Sequence, residues 1–481
     1  MKAKQYITTT LPYVNSDPHV GFAMEIVRAD VMARYYTLRG YDVFFNTGTD
    51  EHGVKIWEKA KEANMDVQAY VDQYADKFKG LIELLGLSPD IHFVRTTDSS
   101  HIKAAQEFWK RCNDNGYIYK KTYQAKYCVG CELEKTDSEL VDGKCAIHTD
   151  RDLELIDEEN YFFKFSACED FLKKLYADNP TFVIPNFRFN EIKNFVDGGL
   201  QDFSISRLKT KMPWGIPVPG DDDHVMYVWF DALVNYISTL GWPGDLDTFE
   251  TYWTEGEPIQ YAGKDNLRQQ SAMWQAMLYA AGLPNSQHIV INGFINSGGQ
   301  KMSKSLGNVI SPYDIVQEYG TEALRYYLLR HMNSFEDSDM TMEKFHEAYN
   351  ANLANGLGNL VQRLMKMIVS YHVDISDINF EHEPVLSYHH KHFEEFDLNT
   401  VMNEVWRLVG DMDQFIAEHE PFKKIKIDEA GAHKDLHYLA GELSRLAVSL
   451  YPMMPETAQT IQTCLTEVKV PEEPLFKRIE K

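Results

Sequence analysis

The chain has 481 residues, 44% of them hydrophobic, which is enough for roughly three domains of about 150 residues, each with its own core. Asp and Glu outnumber Lys and Arg by 72 to 48, and a net charge of −24 excludes any nucleic-acid reading drawn from bulk charge, so a polyanion must meet a local basic surface. The first ten residues lack the apolar run of a signal peptide, no later stretch reaches the roughly 18 apolar residues of a membrane span, and six cysteines are too few for a disulfide framework. A cytoplasmic protein with no membrane partner is expected.

Tyr6 to Thr10 reads as a short strand, followed by a loop through Pro12, Asn15, Ser16, Asp17 and Pro18. An amphipathic helix is predicted from about Phe22 to Arg39, with Ile26, Val27, Val31, Met32 and Tyr35 at helical spacing. Tyr41 to Asn46 is strand-like again and runs into Thr47-Gly48-Thr49-Asp50; strand, helix, strand makes a βαβ unit and an α/β nucleotide-type domain. From about Gly116 to Pro219 the texture changes to a cysteine-rich stretch, the aromatic segment Asn160 to Phe165, and Pro213-Trp-Gly-Ile-Pro-Val-Pro219. This segment reads as an insertion. Strand-like stretches at His224 to Trp229, Ile259 to Gly263 and His288 to Asn292 alternate with an apolar helical stretch at Leu267 to Ala281, so the α/β core resumes. After about Glu343 the pattern is helical, with runs at Phe345 to Tyr371, Leu398 to Glu420 and Lys434 to Leu450 that predict a bundle. The expected division is 1–115 and 220–342 for the two halves of the α/β domain, 116–219 for the insertion and 343–481 for the bundle.

Two short motifs carry the chemistry. Pro18-His19-Val20-Gly21-Phe22 stands at the first strand-to-helix turn, where an imidazole and free backbone N–H groups face whatever anion sits at the helix start. By itself such a pair is commonly a capping detail. Lys301-Met302-Ser303-Lys304-Ser305 is more specific: two lysines and two hydroxyls follow Ser297-Gly298-Gly299, a glycine pair that lets a loop close over a triphosphate. Its bland alternative is a solvated basic loop. Cys128-x-x-Cys131 followed by Cys145-x-x-His148 supplies three thiolates and an imidazole, the closed tetrahedral set of structural zinc. Cys112, Cys168 and Cys464 are isolated and read as small buried residues.

Taken together, the two motifs resemble the signatures of class I aminoacyl-tRNA synthetases. Their neighbours Thr10-Leu-Pro-Tyr13, Thr49-Asp-Glu-His-Gly53, Tyr227-Val-Trp-Phe-Asp-Ala232 and Gly263-Lys-Asp265 resemble the methionyl branch, over nearly the whole chain. The resemblance implies a Rossmann-like catalytic domain with a zinc-bearing connective insertion, then an α-helical anticodon-binding bundle. It implies catalysis by His19, Lys301 and Lys304, with ATP held by His19, Gly21, Asp265 and Lys304 together with Mg²⁺. The methionine pocket falls on Leu11, Tyr13, Asp50, Trp229, Ala232, Tyr236 and Gln270, with Asp50 holding the α-ammonium group. A carboxylate at the end of a strand is a natural partner for that cation, whereas Trp229 and Tyr236 would otherwise read as core aromatics.

The same resemblance assigns anticodon reading to Asn359 and Arg363, which stand at i and i+4 and otherwise look like plain surface residues, and to Phe422, which replaces a stacking tryptophan. The zinc would be single and structural. Partners implied are L-methionine, ATP and methionine tRNA, initiator and elongator; a chain ending at Lys481 points to a monomer. Two departures stand out: Phe22 occupies the place of the family's second signature histidine, and Gln270 that of a histidine near the substrate side chain. Two rivals are weighed. A leucine or valine synthetase would need a larger editing insertion than 116–219, and a catalytically idle tRNA-binding paralogue sits poorly with intact His19 and Lys301 to Ser305.

Overall fold

A computed structural model describes residues 2–130, 133–135, 140–147, 149, 152–302, 307–380 and 382–480. Its centre is a parallel sheet of six strands: β1 (Lys4–Thr8), β2 (Asp42–Thr49), β3 (His92–Arg95), β4 (Val183–Ile184), β5 (Glu257–Gly263) and β6 (His288–Asn292), in the spatial order β3-β2-β1-β5-β6-β4. Tyr6 faces Phe44 on one side of β1, and Ile7 faces Ile259 on the other. Helices cover both faces, so residues on both sides of the strands are buried: Ile289, Val290 and Ile291 all are, and so are the polar Gln5, Asn46 and Gln260. The chain leaves β1 towards β2 and β3 and returns on the other side with β5. A topological switch point therefore lies between β1 and β5, and in such sheets ligands bind outside the carboxyl ends there.

Helix α1 (Val20–Leu38) packs on this sheet. Its predicted apolar stripe is buried as expected, but so are Glu25, Arg28 and Asp30. The helix is covered on two sides, and its charges are met rather than solvated. Arg28 donates to the carbonyls of Ser334 (2.9 Å) and Asn333 (2.8 Å), and Asp30 accepts from Arg34 (2.9 Å) and Arg325 (2.8 Å).

Helix α2 (Ser99–Asp114) leads to an antiparallel pair, Ile118–Cys128 with Glu154–Phe163, in register from Ile118 opposite Phe163 to Tyr127 opposite Glu154. The stretch His224 to Trp229, expected as one strand of the core, divides. Asp221–Met226 belongs to a three-stranded antiparallel sheet with Ser206–Leu208 and Pro217–Val218, and Tyr227 then caps the short helix α3 (Val228–Ala232), with Phe230 N–H donating to Tyr227 O at 2.9 Å. A short buried apolar run has no periodicity to separate strand from helix. Helix α4 (Asn235–Ser238) follows directly.

Helix α5 (Thr321–Arg330) leads towards the bundle, whose long members are α6 (Asn359–Ser370), α7 (Leu398–His419) and α8 (Glu429–Leu450). The run predicted at Phe345 to Tyr371 is helical but not uniform, because Tyr349–Gly358, rich in Asn and Gly, widens into a π-helix before α6. One apolar core takes in Ile7 and Val27 of the sheet layer and Leu364, Val405 and Leu443 of the bundle. Among the described residues no helix is long and apolar enough to cross a membrane.

Candidate active site

The residues after β1, β2 and β5 converge at the switch point. His19 is the N-cap of α1, and its Nδ1 accepts from Gly21 N–H at 3.0 Å. A Cβ at Gly21 would come within 2.8 Å of the His19 ring, so glycine is what lets the imidazole fold back on the turn. Because Nδ1 is an acceptor, the proton of the neutral ring is on Nε2. Burial, helped by the charge of Lys301, pulls the imidazole down to about 4, so it is neutral near pH 7. Phe22, in the place of the usual second histidine, packs its ring against His19 with centroids 4.4 Å apart and meets the Phe78 ring edge-on. It is a packing residue.

Lys301 is exposed on a two-residue strand, Gln300–Lys301, with its ammonium 5.3 Å from the Phe294 ring centre, and its charge reaches both His19 and Asp265. Lys304, with Ser303 and Ser305, lies outside the described residues. Val20 N–H donates to Ile310 O at 3.1 Å, which ties the first motif to the segment that follows the second. Asp265 is the middle residue of the turn after β5; burial raises its carboxyl, while Lys301 and Lys264 oppose that shift.

Glu25 escaped the sequence reading, since a glutamate on an amphipathic helix reads as solvent-facing. Its Oε1 accepts from Thr10 N–H (2.8 Å) and Thr10 Oγ1 (2.6 Å), and burial pushes it up to about 7, with the charge of Asp265 adding to the shift. Two carboxyl groups of raised pKa therefore interact across β1 and β5. Such perturbed pairs gather at functional sites.

On the other side of β1, Asp50 N–H donates to Pro12 O at 3.0 Å and Val14 N–H to Asp50 O at 3.2 Å, so the Leu11 to Val14 loop and the end of β2 are zipped together. Asp50 is 4% exposed. Leu11 and Tyr13 are half-buried, and Tyr13 and Trp229 pack on one small apolar cluster with Tyr127, Tyr227 and Val228. The buried guanidinium of Arg207 lies 4.9 Å from the Tyr127 ring centre and 4.7 Å from that of Tyr227, a cation that sequence reading also missed. Ala232 closes α3, and Tyr236 OH accepts from Gln270 Nε2 at 2.6 Å in the interior. One amide N–H of Gln270 thus serves the tyrosine. The insertion reaches this region through Trp214, whose indole N–H donates to Glu51 O at 2.6 Å.

Of the expected zinc ligands, Cys128 and Cys145 are buried, while Cys131 and His148 lie outside the described residues. In the bundle, Asn359 and Arg363 are exposed on one face of α6. Arg363 and Phe422 line one surface cavity of about 550 Å³ with Lys366, Met367, Ser370 and Tyr371. Arg363 is also 3.8 Å from Asp413.

A family model described as tRNA synthetases class I (M) matches residues 5–153 and 128–365. The chain is 36% identical over 478 residues to a methionine–tRNA ligase of Thermotoga maritima, spanning 95% of this chain and 74% of that protein. It is 39% identical over 473 residues to the Thermosynechococcus vestitus ligase, spanning 95% and 88%. Its fold is similar to that of Mycobacterium tuberculosis methionyl-tRNA synthetase in complex with methionyl-adenylate, with a TM-score of 0.89 at 33% identity over 99% of this chain and 98% of that one. Against the free-state form of that enzyme the TM-score is 0.83 at 30% identity, over 100% and 99%. With the signature turn, the switch-point crevice and relatives of this extent in agreement, the chain belongs to the class I methionyl-tRNA synthetases.

Proposed function

We propose that this chain performs the methionine–tRNA ligase reaction of its family with the following division of labour. In the first step a methionine carboxylate oxygen bonds to the α-phosphorus of ATP and the bond to pyrophosphate breaks, giving methionyl-adenylate. In the second, the 2′-hydroxyl of the terminal tRNA ribose takes the methionyl group and AMP leaves. The observation that carries the reading is the meeting of His19, Lys301 and Asp265 at the carboxyl ends of β1 and β5, where an open α/β sheet binds its ligand.

His19, neutral with its proton on Nε2, is a hydrogen-bond donor for a phosphate oxygen, and the start of α1 adds the positive end of its dipole. Gly21 leaves room for the phosphates, Asp265 serves the nucleotide, and Lys301 with Lys304 neutralises charge developing on pyrophosphate. Mg²⁺ carried with the triphosphate would supply further charge neutralisation. Catalysis is then mainly positioning and electrostatics. Asp50 binds the methionine ammonium, and Leu11, Tyr13, Trp229, Ala232, Tyr236 and Gln270 surround the rest of the amino acid. The donor set Cys128, Cys131, Cys145 and His148 suits one structural zinc, supported by the burial of Cys128 and Cys145. Asn359, Arg363 and Phe422 read the anticodon of initiator and elongator methionine tRNAs in the cytoplasm, supported by the shared cavity of Arg363 and Phe422.

ATP–pyrophosphate exchange with a panel of amino acids tests the substrate. Methionine should support exchange at least about a hundredfold better, by kcat/KM, than leucine, isoleucine or valine. Equal exchange with a branched amino acid would overturn the assignment of substrate, and no exchange with any would restore the idle-paralogue reading.

A further inference from the structure

Two of the segments that carry the proposed methionine pocket each contain a buried titratable residue with no role in the scheme above: His52 in Thr49-Asp-Glu-His-Gly53, and Asp231 in Tyr227-Val-Trp-Phe-Asp-Ala232. They meet. Asp231 is fully buried on α3, with Oδ2 2.9 Å from His52 Nδ1, a close pairing off the line of a straight hydrogen bond, and Oδ1 3.2 Å from His101 Nε2. His101, fully buried on α2, continues the chain with Nδ1 2.9 Å from Ser238 Oγ at the end of α4.

The connectivity explains what such a chain can do. His52 is two residues beyond Asp50, on the loop after β2. Asp231 stands between Trp229 and Ala232, and Ser238 two residues beyond Tyr236. One carboxylate thus ties the loop presenting the ammonium-binding group to the segment presenting the apolar wall, and His101 pins both ends of that segment to α2. Burial of a carboxylate by itself raises its pKa; here the charge and hydrogen bonding of His52 and His101 more than offset that, holding Asp231 below the ordinary carboxylate range. A buried, ionised carboxylate with two imidazole partners fixes geometry more tightly than apolar packing does, because displacing either partner leaves an uncompensated charge.

We propose that Asp231, through His52 and His101, is a positioning residue for methionine: it sets the distance between the Asp50 carboxylate and the wall carrying Trp229, Ala232 and Tyr236. The proposal rests on the pocket reading given above. It implies that Asp231 acts on methionine and leaves ATP untouched, since the nucleotide groups His19, Asp265 and Lys301 lie outside this chain of contacts.

Steady-state ATP–pyrophosphate exchange on the full chain separates this from a merely structural role. Asp231→Asn should raise the methionine KM by about tenfold or more, with the ATP KM within about twofold of the parent and kcat within about threefold. His52→Asn, whose amide N–H can replace Nδ1–H, should stay within about threefold of the parent methionine KM, whereas His52→Ala should resemble Asp231→Asn. A methionine KM within about twofold of the parent for Asp231→Asn, or methionine and ATP constants rising in parallel, overturns the proposal. Should Asp231→Asn fail to fold, the two His52 variants decide by the same criteria, and failure of all three to fold would make the cluster a folding element and overturn it too. Asp50→Ala is run alongside: if it leaves the methionine KM unchanged, the pocket itself is misplaced and the proposal falls with it, whereas loss of methionine binding there with an unmoved Asp231→Asn sinks the positioning role alone.

Discussion

At His19 the fold sets both the charge and the tautomer of the imidazole. Its value of about 4 lies below that of an exposed histidine, so the unfolded chain takes up a proton between about pH 6.5 and 4 that the folded chain does not. Stability contributed by this group is therefore complete above about pH 6.5 and is lost as pH falls through that window. The matching prediction is spectroscopic: in histidine-labelled protein the His19 ring stays neutral, with the proton on Nε2, down to pH 5.5, and a ring titrating near 6.5 would remove the burial argument. The sequence marked His19 because it stands at a predicted helix start, and Asp50 because it follows a strand. Glu25 and Arg207 left no such mark. They stand out only through burial, Glu25 against Thr10 and Arg207 between two tyrosine rings, which are long-range facts that local spacing does not encode.

Elements with a strong period or a clear stop were legible. His288–Asn292 forms the strand expected of it, and α1 begins two residues before its predicted start, where His19 caps it. The failures were of two physical kinds. Apolar density without period misassigned Val228 and Trp229, which are helix rather than strand, and a Gly- and Asn-rich stretch turned part of one predicted helix into a π-helix. Parallel order was implied by the βαβ pattern, but the recruitment of Val183–Ile184 to the sheet edge beside β6 was not, since a two-residue strand has no sequence signature. At this scale the zinc assignment is testable. The strand Ile118–Cys128 ends on one proposed ligand, and the hairpin residue Cys145 supplies another. Purified protein should carry one zinc per chain by elemental analysis, and Cys128→Ser should lose most of it, because three ligands cannot close a tetrahedral site. A preparation without zinc, or a Cys128→Ser variant that keeps its full complement, ends the assignment.

Over the whole molecule, the sheet layer and the bundle are joined by packing and by charge. Arg325, fully buried on α5, donates to Met453 O (2.7 Å) near the end of α8, to Leu85 O (3.0 Å), and to Asp30 (2.8 Å) on the helix that His19 caps. Under the proposed anticodon reading by the bundle, this buried joint places the tRNA-binding face and the crevice on one packed core. Damage confined to the far surface of the bundle should leave the crevice intact, and Arg363 is placed to show this. Arg363 is exposed, its contact with Asp413 is long at 3.8 Å, and it shares its cavity with Phe422, so Arg363→Ala should fold normally. Exchange of ATP and pyrophosphate needs no tRNA and should be unchanged, whereas aminoacylation of methionine tRNA should fall. Loss of a base-edge contact costs about 1–3 kcal/mol, or roughly a five- to two-hundredfold drop in kcat/KM. Discrimination should fall with it, so a tRNA with an altered anticodon should lose less on the variant than on the parent. Equal losses for both tRNAs would make Arg363 a phosphate contact, which positions without specifying. Unchanged aminoacylation would return Arg363 to the plain solvated surface of α6 and move anticodon reading elsewhere on the bundle.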